Sequence, residues 1–192
     1  MKKLLLSSLL FGLVPTTYGQ LAATTNQEKT KEIRYENPAA DLRGYIVKVG
    51  DLAPDDFELV LTDGTKTNLK ALRGKVVVLQ FTASWCSVCR KEMPHLEQQV
   101  WQQHKDKDFL LIGVDRDEPL EKVTAFKKDI GVTYPLALDP AAGIFGRFAD
   151  KKAGVTRNVV IDRQGKIIFL TRLYDEKEFA EMVAVIKSQL AG

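Results

Sequence analysis

The 192-residue chain has two cysteines, Cys86 and Cys89, with only Ser87 and Val88 between them. A disulfide closing so short a loop constrains little of the unfolded chain, so stability is a poor reason for the pair. Redox exchange is a better one. The pair follows a near-continuous apolar run, Val76-Val77-Val78-Leu79-Gln80-Phe81, which reads as a strand buried on both faces. It opens a stretch in which Met93, Leu96 and Val100 recur at helical spacing. A thiol in the first turn of a helix lies among unpaired N–H groups whose partial positive charge favours an anion. Comparable placements lower a thiol pKa from about 8.5 to roughly 3.5–7.5. Cys86 is therefore read as the nucleophile. Cys89, one turn later on the same side, can attack a mixed disulfide held on Cys86 and release the reduced partner. Trp85 would shield the pair and offer a partner an apolar surface. A Cys-x-x-Cys set between strand and helix, in a chain with no other cysteine, is a strong signal.

The surrounding pattern supplies the elements that must hold this pair. Tyr45 to Val49 reads as a lead-in strand, and Phe57 to Leu61 alternates as a strand before the turn signal Asp63-Gly64. Asn68 to Gly74 reads as one helical turn. After the strand at Val76, a helix is expected from Cys86 to His104, loosened at Pro94. Phe109 to Val114 is a second buried strand. Asp117 is expected to cap a helix bearing Leu120, Val123, Phe126 and Ile130 on one face and ending at Gly131. Pro140 to Asp150 reads as a short helix, Val159 to Ile161 and Lys166 to Thr171 as a hairpin around Asp162–Gly165. A last helix starts at Asp175, with Glu178 as capping-box partner and Phe179, Met182, Val183, Ile186 and Leu190 as its apolar stripe. The order, a hairpin followed by β-α-β-α and β-β-α, implies an α/β fold: a central mixed sheet with helices on both faces.

The N-terminus differs from the rest. Lys2 and Lys3 precede an apolar run, Leu4 to Val14, that is too short to span a bilayer comfortably, which needs about 20 residues. Pro15 and Thr17-Tyr18-Gly19 follow, the layout of a secretory signal peptide, with cleavage expected after Gly19. The expected organisation is a signal peptide over 1–19, a flexible mature segment over 20–44 and one domain over 45–192. The expected location is the periplasm; the alternative is an uncleaved anchor in the inner membrane. The formal net charge of +3 becomes nearly neutral once Lys2 and Lys3 are removed, which leaves no electrostatic case for nucleic acid.

From Val49 onward the sequence resembles the TlpA/ResA-type thioredoxin-like disulfide reductases of the bacterial envelope. The resemblance rests on Gly50-Asp51-Leu52-Ala53-Pro54 with Phe57-Glu58-Leu59, and on Leu72-Arg73-Gly74-Lys75. It rests further on the run Phe81 to Pro94 around the cysteines, and on Val160-Ile161-Asp162 with Gly165-Lys166-Ile167. Similar chains are common among Bacteroidetes. The resemblance implies a thioredoxin-like fold with an N-terminal β-hairpin extension. It also implies reduction of disulfides in exported proteins, with electrons from a membrane thiol donor; apocytochrome c is one such substrate in some members. No cofactor is expected beyond the redox-active Cys86–Cys89 disulfide, and the protein is expected to act as a monomer.

The resemblance also assigns an acid. Thioredoxin carries a buried aspartate six residues before the first cysteine, but Gln80 stands there, and an amide cannot accept a proton at neutral pH. ResA-type members use a glutamate three residues after the second cysteine, and Glu92 occupies that place. Burial near the dithiol would raise its pKa and suit it to move the Cys89 proton; the plainer alternative is an exposed helix glutamate. The family's cis-proline, which faces the cysteines, is replaced by Thr156. A cis bond without proline costs about 2.5–4 kcal/mol, so a trans or strained segment from Gly154 to Arg157 is expected. Val155, Thr156 and Arg157 are expected to face a substrate. Arg157 either stabilises the thiolate, binds an acidic substrate or sits on the surface.

Three other functions fit these residues less well. A peroxiredoxin-like thiol peroxidase shares Ala53-Pro54 and Phe57, but it needs a threonine three residues before the nucleophile and a proline four before that. Ala83 and Leu79 occupy those positions. A zinc module would need more ligands than Cys86 and Cys89; His95 and His104, nine apart on one helix, cannot both face the pair. Asp115, Asp117 and Glu118 fit helix capping better than a cation site. A non-catalytic thioredoxin-like binding module has no use for both cysteines and Glu92.

Overall fold

The structure is a computed structural model and describes residues 43–191. The expected signal peptide and nearly all of the 20–44 segment lie outside the described residues.

Seven strands form one mixed sheet. They are β1 (Leu59–Leu61), β2 (Lys66–Thr67), β3 (Val76–Thr82), β4 (Phe109–Arg116), β5 (Leu136–Asp139), β6 (Arg157–Ile161) and β7 (Ile167–Arg172), in the order β2-β1-β5-β4-β3-β6-β7. Strands β3, β4 and β5 run parallel, and β6 and β7 add antiparallel on the other side. The N-terminal hairpin β1–β2 turns at Asp63-Gly64 and joins the far edge through β5. Every residue of β3 is buried, as its apolar run demands of a central strand.

One face of the sheet is covered by α1 (Ser87–Leu96), α3 (Leu120–Ile130) and α5 (Glu176–Leu190), whose Met93, Leu96, Val123, Phe126, Phe179 and Met182 pack with Val76, Val78 and Leu111. The other face holds Val77, Leu79 and Phe81 against α4 (Phe145–Phe148), Tyr45 and Leu69. The thioredoxin-like α/β arrangement with helices on both faces thus forms as its sequence order implies.

Four local expectations need correction. Strand β5 is absent from the sequence reading, because four residues between Tyr134-Pro135 and Pro140 are too few to show a period. The Pro140–Asp150 helix is broken into a 3-10 turn (Pro140–Ala142) and α4. Ala141 and Ala142 take left-handed backbone there, and the Asp139 carboxylate accepts from the N–H groups of Ile144 and Phe145 at 2.7 and 2.8 Å. Asp117 does not cap α3. It adopts a φ of 67°, its carboxylate accepts from the Ala141 N–H, and Pro119 takes the cap position with no side-chain bond. Tyr45 forms only a single bridge, to Ala149, in place of a lead-in strand.

The first helix carries Pro94 without ending there. It passes into a π-helical turn over Glu97–Trp101 and a last short piece, α2 (Gln102–His104). At the start of α5 Asp175 accepts from the Glu178 N–H at 2.9 Å. The Glu178 carboxylate pairs with Arg43 and accepts from the Arg172 N–H.

Candidate active site

Cys86 is the N-cap of α1, and its sulfur accepts from the Cys89 N–H at 3.2 Å. The two cysteines are joined as a disulfide, with Cα atoms 5.3 Å apart. Their access differs: Cys86 is 8% exposed and Cys89 0%. The sulfur at the helix terminus, where backbone N–H groups favour a thiolate, is also the one a partner can reach.

Thr156 stands over the pair. Its hydroxyl lies 3.1 Å from the Cys86 sulfur and 3.2 Å from that of Cys89. No peptide bond among the described residues is cis. The segment thus places a hydrogen-bonding hydroxyl against both sulfurs. It can donate to a thiolate on either cysteine.

Behind the disulfide lies a buried polar chain. Glu92, one helical turn beyond Cys89, is enclosed on the sheet side of α1. Its carboxylate accepts from the Gln80 amide of β3 at 3.2 Å and from the Asn158 amide of β6 at 2.7 Å. Tyr134 donates to the Gln80 oxygen at 2.8 Å, which turns the Gln80 nitrogen toward Glu92, and Asn158 also donates to Thr171 at 2.9 Å. Burial pushes the Glu92 pKa up to about 7, against the pull of the Asn158 and Gln80 bonds. Glu92 is therefore the buried acid and not an exposed helix residue. Gln80, where thioredoxin has its aspartate, serves as a donor to it.

Gly113 makes room for this chain. It pairs with Gln80 across β3 and β4, and a Cβ there would stand 2.3 Å from Leu136 and 3.3 Å from Tyr134. A glycine inside a buried strand marks such a close approach.

The remaining residues read as substrate-facing separate. Trp85 is 64% exposed beside Cys86. Val155 and Thr156 are buried, with Thr156 against the sulfurs. Arg157 points away from the site, to the opposite face of β6 from Asn158. Its guanidinium donates to the carbonyls of Gly154 at 3.0 Å and Arg43 at 2.6 Å and lies over the Tyr45 ring. Burial lowers its pKa. The alternation of a strand explains the difference: Thr156 and Arg157 are neighbours in sequence and cannot face one way. Sequence reasoning missed Leu173. Its N–H donates to the Thr156 carbonyl at 3.0 Å, it is 42% exposed, and it holds a φ of 63°. A leucine in left-handed backbone bonded to Thr156 is strained, and nothing in the one-dimensional pattern announces it.

The redoxin family model matches residues 48–186. The chain is a redoxin. Its likeness within that family is to the thiol-disulfide oxidoreductase ResA. It is 32% identical to the Bacillus cereus protein over 122 residues, 64% of this chain and 68% of that one. It is 27% identical to the Halalkalibacterium halodurans protein over 156 residues, 81% and 85% of the two chains. Among solved structures, a candidate protein disulfide isomerase from Bacteroides thetaiotaomicron superimposes with a TM-score of 0.75 at 62% identity, covering 78% of this chain and 94% of that one. A candidate thiol:disulfide interchange protein DsbE from Chlorobium tepidum does so with a TM-score of 0.65 at 27% identity, covering 75% and 99%. With its Cys86–Cys89 pair, this redoxin is a thiol–disulfide oxidoreductase of the TlpA/ResA type.

Proposed function

We propose that the protein reduces disulfides of exported proteins and is recharged by a membrane thiol donor. The observation that carries this reading is the burial of Glu92 one turn from a fully enclosed Cys89. In the reductive direction the Cys86 thiolate attacks the substrate disulfide. A Cys86 mixed disulfide forms, and one substrate sulfur leaves and takes up a proton. Cys89 must then lose its proton where water has no access. Glu92, with a pKa near neutrality, can take that proton. The Cys89 thiolate attacks the Cys86 sulfur, restores the protein disulfide and releases the second substrate thiol. Two electrons and two protons pass from the dithiol to the substrate, and a second dithiol must return them.

Trp85 and Leu173 are the apolar contacts for the substrate chain, and Thr156 stabilises whichever sulfur carries charge. Cys86, Cys89 and Glu92 act in the chemistry. Export to the periplasm through the 1–19 segment fits such substrates, and the chain is read as a monomer. No described helix is long and apolar enough to cross a membrane. Apocytochrome c, whose cysteines must be reduced before haem attachment, is the substrate to try first.

The test is the reduction potential of the Cys86–Cys89 couple, together with turnover of an apocytochrome peptide disulfide by the reduced protein. A potential near about −270 mV with rapid turnover supports a reductase; one near about −120 mV marks an oxidant and overturns the direction.

A further inference from the structure

A second buried acid lies under the turn that presents Cys86, outside the Glu92 chain. Asp115, near the end of β4, is fully enclosed, and no donor group reaches either of its oxygens. A bare carboxylate in that position would be costly. Glu118 is the neighbouring acid that most favours a proton on Asp115. Two carboxyl groups bond only if one of them carries a proton. Glu118 is the one held as an anion. Its own partial burial works against this, but Lys122 pairs with it at 2.5 Å and two groups of Ser84 donate to it, leaving its pKa lowered. Asp115 is the one held neutral: burial, and then the nearby Glu118 charge, push its pKa up to about 8.

The Glu118 anion in turn grips the loop before the nucleophile. It accepts from the Ser84 N–H at 2.5 Å and from the Ser84 hydroxyl at 2.7 Å. From the other side Arg90 of α1 donates to the Ser84 carbonyl at 2.8 Å and pairs with Asp129. Ser84 is thus fixed at its N–H, hydroxyl and carbonyl, two residues before Cys86. The Cys86 N–H closes the turn on the Ala83 carbonyl at 3.1 Å.

We propose that Glu118 is a positioning residue for Cys86, holding the Ser84–Trp85 turn in place while a protonated Asp115 donates to it from beneath. This rests on the reading of Cys86 as the nucleophile. The other charged groups around Asp115 are Lys122 and Asp139, which oppose and reinforce its retention of the proton respectively. When Asp115 ionises, a second negative charge is added beside the Glu118 anion that Lys122 already pairs with, and the grip on Ser84 loosens.

The test uses the oxidised protein, in which neither cysteine titrates. Carbon-13 carboxyl and nitrogen-15 amide NMR are followed from about pH 6 to about pH 9.5. The Asp115 carboxyl should titrate near pH 8. The Ser84 amide resonance should move with the same midpoint, including in a Glu92→Gln background that removes the other buried acid titrating in this range. In Asp115→Asn, whose amide still donates to Glu118, the Ser84 amide should no longer move across that range. In reduced Glu118→Gln, alkylation of Cys86 by iodoacetamide at pH 7 should slow by roughly tenfold, the order expected when a positioned nucleophile is released. A Ser84 amide indifferent to pH, or Glu118→Gln alkylated at the wild-type rate, overturns the proposal. Should Glu118→Gln fail to fold, the Asp115→Asn comparison decides alone. The NMR arm requires no disulfide exchange, so its failure leaves the reductase reading standing. A coupled titration in a protein that reduces no disulfide would sink that reading and keep this one.

Discussion

Asn158 of β6 donates to Glu92 of α1 at 2.7 Å and ties the acid behind the cysteines to the strand that follows Thr156. The bond favours the charged form of Glu92, while burial favours the neutral one, and the balance sets a pKa near 7. Glu92→Gln removes the proton acceptor and keeps the shape. The release of substrate from a Cys86 mixed disulfide should slow by roughly 10²-fold or more, the scale of general base catalysis. Its rise through about pH 7 should disappear. Single-turnover kinetics across pH on a Cys86-linked model disulfide measure both; an unchanged profile removes Glu92 from the mechanism.

The same acid costs stability. Its folded pKa is raised above the unfolded 4.5, so between pH 4.5 and about pH 7 the folded state keeps a proton that the unfolded state releases. Stability is therefore greatest below the unfolded pKa, falls as pH rises toward 7, and levels above it. The loss attributable to Glu92 should be about 3 kcal/mol. Urea unfolding of wild type and Glu92→Gln at both ends of this range gives the difference; equal pH dependence in the two proteins contradicts it.

Thr156→Val keeps the bulk and removes the hydroxyl that lies against both sulfurs. A hydrogen bond to a charged group contributes about 1.5–3 kcal/mol, so the Cys86 thiol pKa should rise by roughly one unit or more. The dithiol state loses that support. The couple should become more reducing by about 30 mV for each 1.4 kcal/mol lost. Equilibration with a glutathione redox buffer reads the shift, and an unmoved potential would show that the hydroxyl does not serve the thiolate.

Leu173→Gly should separate stability from recognition. Glycine relieves left-handed strain of about 1–2 kcal/mol and removes an exposed apolar side chain beside the site. The folded protein should gain stability while KM for a peptide disulfide rises with little change in kcat. A loss of stability would mean that the side chain packs more than its exposure indicates.

Gly113→Ala puts a methyl group where Leu136 and Tyr134 already lie. Overpacking of this kind costs about 1–3 kcal/mol. Because Tyr134 orients Gln80, the variant should also shift the Glu92 titration, which carboxyl NMR would detect; a destabilised protein with an unmoved Glu92 titration would uncouple the two.

Much of this arrangement was legible in one dimension because it depends on local pattern. The apolar run at Val76, the cysteines that end it and the periodicity from Met93 onward specify strand, turn and helix with little reference to the rest of the chain. Glu92 was legible through family spacing. Its partners were not, since Gln80, Asn158 and Tyr134 come from three separate parts of the chain and meet only through strand register. Arg157 was assigned to the site by its nearness to Thr156, and alternation along β6 sends it to the other face. Leu173 carries no signal in the pattern, and Asp115 was grouped with Asp117 and Glu118 as a helix-capping acid. Their interest lies in a backbone angle and a missing donor, neither of which is written in residue type.

The enclosure of Cys89 beside an accessible Cys86 has one more consequence. Whatever delivers electrons and whatever receives them must use the same sulfur. The protein cannot hold donor and acceptor together, so the two visit by turns, each leaving before the next arrives. Its kinetics should follow a ping-pong course, and an excess of either visitor should obstruct the other.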